Sequence, residues 1–342
     1  MNTINTPLYK SFCFPYNGDF ETAVECVEKY KDFLFELYGT DDQFKSSRSQ
    51  SFIRPSKFIE LVKLLSDNNI EFNYLLNSFV LDNYVINKEK LLDHARFLKD
   101  CGVTSVTLSS PFLINDLKKI GLKVSTSIIQ RINNECSVKY HEYLGYDRII
   151  LDEDEIRCLP NIKHLRKITN LPIEIIINSG CLKYCPFRLT HWNVDGISHP
   201  QFTDSMRNEL HMYCKQCKSL WHKQPVSFLK SLWVRPEELG KYKMAGVNLF
   251  KIGGRSKPGK SNISVLDIYS KGEWNGSVFD YLKPGIDPAK NFGISHLPNK
   301  KLDHFFDFFF TDPIGCNHQC HNCKHCYQWQ HLVTPIYKAI NE

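Results

Sequence analysis

Apolar residues in this chain recur in two alternating rhythms, and a glycine often marks the change from one to the other. Gly102 precedes Val-Thr-Ser-Val-Thr-Leu, Gly121 precedes Leu-Lys-Val-Ser-Thr, Gly145 precedes Tyr-Asp-Arg-Ile-Ile-Leu, and Gly246 precedes Val-Asn-Leu-Phe-Lys-Ile. Helices commonly stop at a glycine in the left-handed conformation, so the repeated unit reads helix, glycine, strand. Helical spacing recurs at Phe58, Leu61, Val62 and Leu65 and again at Leu91, Leu92, Ala95 and Leu98, and Pro236 opens a further helix in its first turn. Strands are predicted near residues 8–13, 32–37, 71–76, 104–108, 122–126, 148–151, 173–177 and 247–252. Eight alternations predict an α/β chain closed into a (β/α)8 TIM-like barrel rather than an open doubly wound sheet. No Gly-x-Gly-x-x-Gly follows the first strand, which speaks against a dinucleotide-binding fold.

The regular pattern breaks twice. Between the seventh and eighth strands lies an insertion, about residues 181–226, far longer than a usual loop and helix, and long insertions on the active face commonly carry function. The barrel is expected to span residues 1–275, with a C-terminal extension, 276–342, that brings Phe305, Phe306, Phe308, Phe309 and Phe310 and then a cysteine run against it. In a barrel, chemistry sits where strands end at their carboxyl side, so Asn77, Ser109, Asp152, Glu153, the stretch from Asn178 to Cys181, and Lys251 to Arg255 are the residues to read.

Thirteen cysteines change the picture. A disulfide framework belongs to small secreted domains, whereas this chain has 342 residues and 42% hydrophobic content, ample for a packed core. It begins Met-Asn-Thr-Ile-Asn-Thr-Pro without a basic, apolar leader and has no stretch near eighteen apolar residues. These features predict a cytoplasmic address, no membrane partner, and cysteines used for metal or redox chemistry. The net charge of +6 admits an anionic small molecule or RNA as partner.

Two cysteine quartets have ligand spacing. Cys181 and Cys185 are followed by Cys214 and Cys217, and Cys316, Cys320, Cys323 and Cys326 form the C-terminal run, with His318, His321 and His325 interleaved. Four soft ligands suit a 4Fe-4S cluster or tetrahedral zinc, and the two quartets allow one cluster or two. The first three thiols of the C-terminal run also spell the CxxxCxxC of radical S-adenosylmethionine enzymes, but those carry it after the first strand. Cys13, Cys26, Cys101, Cys136 and Cys158 stand alone within predicted elements and read as small buried residues. Lys251 and Arg255, beside the amides of Gly253 and Gly254, are candidates to hold a carboxylate or phosphate, with Arg235 as a third cation. Asp152, Glu153 and His191 are candidates to move protons.

The stretch Asn178-Ser-Gly-Cys181-Leu-Lys-Tyr-Cys185-Pro-Phe-Arg188, followed by Phe250-Lys-Ile-Gly-Gly-Arg-Ser-Lys257, with Glu36-Leu-Tyr-Gly39 and Arg235-Pro-Glu-Glu238, resembles the collagenase-like peptidase family U32 over about residues 8–275. Gly253 stands where the family's usual motif has an acid, so no role of that acid carries over. The resemblance implies, despite the family's name, an iron–sulfur protein of oxygen-independent hydroxylation, akin to the ubiquinone-pathway pair UbiU and UbiV and to relatives that modify RNA. It further implies a prephenate-like donor, cluster ligation by Cys181 and Cys185 with Cys214 and Cys217 completing the set, Arg188 as a further substrate-side residue, and a possible heterodimer. Two alternatives stay open: a peptidase, for which His-Glu-x-x-His and Gly-x-Ser-x-Gly are absent but His191 lies close after Cys185, and a structural zinc or electron-transfer accessory protein.

Overall fold

The eight strands are β1 (Phe12–Pro15), β2 (Leu34–Gly39), β3 (Glu71–Leu76), β4 (Ser105–Leu108), β5 (Lys123–Ser125), β6 (Ile149–Ile150), β7 (Ile173–Ile176) and β8 (Leu249–Lys251). All pair in parallel, in the order β5-β4-β3-β2-β1-β8-β7-β6. A parallel bridge between Ser125 and Arg148 joins the two end strands, with Thr126 N donating to Arg148 O at 3.0 Å and Asp147 N to Val124 O at 2.7 Å. The expected (β/α)8 barrel is therefore what the chain forms. This computed structural model describes residues 8–40, 55–78, 84–197, 204–282, 287–288, 290, 293–311 and 315–333.

The outer ring follows from the apolar spacing. Helices α1 (Phe20–Tyr30), α2 (Pro55–Asp67), α3 (Tyr84–Asp100), α4 (Ile114–Lys119), α5 (Glu135–Leu144) and α6 (Leu159–Ile168) alternate with the first seven strands. Phe58, Leu61, Val62 and Leu65 of α2 and Leu91, Leu92, Ala95 and Leu98 of α3 are buried, as a 3.6-residue period requires. Four glycines that end a helix just before a strand have φ of 102, 90, 96 and 102°, at Gly102, Gly121, Gly145 and Gly246. At Gly246 a Cβ would also overlap the side chain of Arg166, so glycine is needed there twice over. The first strand starts later than its apolar pattern suggests, because Lys10 turns the chain at φ 47° while its ammonium binds the carbonyls of Asn68 and Asn69, each at 3.1 Å.

Between β7 and β8 lie α7 (Arg188–Ile197), α8 (Asp204–Lys223) and α9 (Val226–Leu229), after which Trp233 bridges back to Asn178 and Val234 N donates to Ile177 O at 2.9 Å. The final barrel units are α10 (Leu239–Met244), β8 and α11 (Gly259–Lys271).

Below the mouth the barrel interior is charged. Arg148 donates to Glu36 at 2.7 Å and to Glu174 at 2.9 Å, and Lys251 pairs with Glu174 at 3.2 Å. Two acids and two bases balance, which is how buried charge is tolerated. Burial pushes the Glu36 carboxyl up, opposed by the Arg148 guanidinium.

The extension packs into the same core. Phe305, Phe306 and Phe309 are buried and join Trp233 around the Arg157 guanidinium, which lies 4.6 Å from the Trp233 ring, 5.0 Å from Phe306 and 5.2 Å from Phe309. Arg157 also donates to the carbonyls of Leu229 and, at 3.1 Å, Trp233. Arg235 corrects an expectation: it does not line the barrel mouth. Its guanidinium binds Asn299 at 3.0 Å, the Leu302 carbonyl at 2.8 Å and Asp303 at 2.5 Å, stitching the extension to the barrel. Among the described residues no helix is long and apolar enough to cross a membrane.

Candidate metal centres and barrel-mouth cavity

A cavity of about 350 Å³ opens at the carboxyl ends of the strands, lined by Glu153, Cys181, His191, Lys251 and Arg255 together with Gly253 and Gly254. Asn178 shapes its rim, accepting from Gly253 N at 2.7 Å and donating to Gly253 O at 3.0 Å, so the loops after β7 and β8 move as one. A Cβ at position 253 would stand 3.3 Å from the Asn178 side-chain oxygen, a tight contact. Lys251 lines the cavity, but its ammonium is shared with Glu174 and lies 4.0 Å from the Tyr38 ring centroid. Arg255 lines the same cavity and is itself buried.

The loop carrying Cys181 and Cys185 is clamped from β6. Asp152 caps the short 3-10 turn Glu153–Glu155, accepting from Asp154 N at 3.1 Å. Asp154 accepts from Tyr184 N at 2.8 Å, from Arg188 at 2.8 Å and from Arg131 at 3.0 Å, while Arg131 also binds Asp152 at 2.8 Å. Two further expectations are corrected here. Asp152 is fully buried and held by Arg131 and Arg188, so it holds the loop and does not face the cavity. Arg188, also buried, spends its guanidinium on Asp154, Asp152 and the Leu182 carbonyl at 2.6 Å. Glu153 and His191 remain on the cavity wall. Asp154 and Arg131, the centre of this clamp, escaped sequence reading, although the run Asp152-Glu-Asp-Glu155 at a strand end was a visible signal.

Two thiols of the first quartet meet. Cys217 of α8 donates a hydrogen bond to Cys185, which lowers the Cys185 thiol to about 6 against the cost of burial, with the Phe187 amide and Arg188 adding. Cys217 is correspondingly pushed up, by that bond, by burial and by the charges of Cys185, Cys181 and Cys214. Cys214 and Cys217 stand three apart on α8 and so share a face. The C-terminal quartet rings a void of about 20 Å³, lined by Cys316, Cys320, Cys323, Cys326, His318 and His325 among others. That space holds about one water-sized sphere. Burial pushes Cys326 up to about 11, and Lys183, from the middle of the Cys181–Cys185 loop, stands 3.1 Å from the Cys316 sulfur.

The spacing of the donors bears on which metal they suit. Tetrahedral zinc holds thiolates at about 2.3 Å, hence close to one another, whereas a cluster gives each thiolate its own iron. Two groups of three donors lie within 4.8 Å of one another among the described residues, Glu155-Cys158-His318 and Cys13-Glu36-Glu174, and neither contains a quartet cysteine. Four thiols at the barrel mouth are a donor set that suits either centre. Cys158, expected as an isolated core residue, belongs to the first of these groups, and Cys136 is exposed.

The model of one known family, described as peptidase family U32, matches residues 26–273. The chain belongs to peptidase family U32. The resemblance carried by the Asn178–Arg188 and Phe250–Lys257 motifs is thereby borne out. An uncharacterized protease of Methanocaldococcus jannaschii is 26% identical over 332 residues, covering 92% of this chain and 96% of that protein. The solved U32 peptidase Mk0906 superposes with a TM-score of 0.52 at 13% identity, over 72% of this chain and 93% of that one, a likeness of fold.

Proposed function

We propose that this U32 protein is an iron–sulfur redox enzyme that hydroxylates, or similarly modifies, an organic substrate without dioxygen. One observation carries the reading. The Cys185–Cys217 thiol pair, drawn from a loop and a helix far apart in sequence, lies beside Cys181 on the wall of a cavity that also presents Arg255 and Lys251. Cys181, Cys185, Cys214 and Cys217 would hold a 4Fe-4S cluster, which when bound supplies one-electron redox chemistry. Arg255, the Gly253 and Gly254 amides and the outer face of Lys251 bind the carboxylate of a prephenate-like donor or substrate. Glu153 and His191 hold or move protons on the wall, and the Asp154 clamp keeps the cysteine loop in register with them. A second metal at the C-terminal quartet, a partner subunit and a cytoplasmic setting belong to the same proposal.

Anaerobic purification with iron, sulfide and zinc analysis tests it: a brown chain with about four irons and four sulfides for each cluster is expected. A colourless chain with stoichiometric zinc and no sulfide overturns it in favour of a structural zinc protein. Peptidase activity is the second reading, favoured by the names given to the family and to the M. jannaschii relative and by the lowered Cys185 thiol. It requires thiol-dependent cleavage of denatured protein that survives complete loss of iron. RNA as substrate requires salt-dependent retention at low ionic strength.

A further inference from the structure

We infer that Glu155, Cys158 and His318 form a separate site for one divalent metal ion of the zinc type, joining the C-terminal extension to the barrel. Their donor atoms all lie within 4.8 Å of one another, with His318 Nε2 3.3 Å from a Glu155 oxygen. Carboxylate, thiolate and imidazole are a zinc donor set, and three protein ligands leave a fourth position for water or a neighbouring group. With one thiolate and one carboxylate the loaded site is neutral, which suits its burial: Glu155 and Cys158 are buried and His318 is partly so.

The surroundings have the form of a metal site's supporting groups. Asn161 donates to the same Glu155 oxygen at 2.7 Å, and the Tyr184 hydroxyl meets Nδ1 of His318, leaving Nε2 to face the other two donors. Ligating imidazoles are commonly oriented through their second nitrogen in this way. Cys158 occupies the N-cap of α6. Backbone strain also gathers here. Tyr184 and His318 have φ of 53 and 67°, and Arg131, which anchors the loop through Asp154, has φ of 51°. Left-handed backbone at non-glycine residues persists where surrounding structure requires it, and often marks functional sites.

The inference uses none of the eight quartet thiols, and it is independent of the barrel-mouth cluster; His318 also borders the void of the C-terminal quartet. It is tested by metal stoichiometry of the full-length chain purified with zinc present. Cys158→Ser and His318→Gln should each lose one equivalent of zinc with the barrel-mouth iron and sulfide unchanged, Cys158→Ser should also leave any metal of the C-terminal quartet unchanged, Cys158→His should retain the equivalent, and Tyr184→Phe should retain it while weakening affinity about 10- to 100-fold. Unchanged zinc in folded Cys158→Ser and His318→Gln overturns the site and leaves a hydrogen-bonded Cys-His-Glu cluster. Should those variants fail to fold, the wild type decides: alkylation of Cys158, read by mass spectrometry, should rise when a chelator removes zinc. Equal labelling with and without chelator overturns the inference as well.

Discussion

The two cysteine quartets differ in how they are assembled and in what they face. Cys181, Cys185, Cys214 and Cys217 come from a loop and a helix that the barrel brings together, and Cys181 borders a cavity of about 350 Å³ with charged groups on its wall. Cys316, Cys320, Cys323 and Cys326 come from one continuous segment, enclose a void of about 20 Å³ and lie against the aromatic cluster around Arg157. A centre with open space beside it can meet a substrate, and one enclosed by its own loop can chiefly hold that loop. Spacing of cysteines along a chain does not reveal this difference; what lies on the far side of the sulfurs does.

The sharpest way to break that comparison is a matched pair of ligand variants. Cys185→Ser should reduce iron and sulfide at the mouth to background and abolish turnover while the chain stays folded. Cys320→Ser should keep the mouth's absorption and lower stability instead, as read by visible spectra and urea midpoints. If both variants lose the same metal and the same activity, the division of labour is wrong. Next in size is Glu174→Gln, which leaves Arg148 and Lys251 short of a counter-charge inside the barrel. A loss of about 3–5 kcal/mol is expected, measured as a lower urea midpoint at unchanged slope, with metal content at both quartets retained.

Arg157→Ala should cost about 3 kcal/mol, since it opens a cavity among Trp233, Phe306 and Phe309 and strands the carbonyls of Leu229 and Trp233. It should resemble Cys320→Ser, with the extension more open to protease and the mouth's iron retained. Smallest is Arg255→Ala, expected to raise KM for an anionic substrate about tenfold or more with little change in stability. An equal effect on a neutral substrate would remove Arg255 from anion binding.

Much of the scaffold was legible in advance because its causes are local. Gly102, Gly121, Gly145 and Gly246 each close a helix before a strand, and all eight strands fall at or near their expected places. Side-chain direction was less legible. Asp152 and Glu153 are neighbours at one strand end, yet the first turns into the Arg131–Arg188 clamp and the second faces the cavity. Arg235 and Arg157 looked like loose cations or went unnoticed because their partners, Asn299 and Asp303 for one and the phenylalanine cluster for the other, lie far along the chain. Cys158 is buried as expected, and its companion in the proposed metal site, His318, arrives from the extension.

The short stretch from Cys181 to Cys185 is gripped from both sides. Its ends carry thiols of the mouth, while Lys183 and Tyr184 at its middle reach Cys316 and His318 of the tail. Slackening the tail therefore withdraws a brace from that loop without touching the mouth's own sulfurs, so the centre should keep its metal while the loop around it exchanges more readily with solvent.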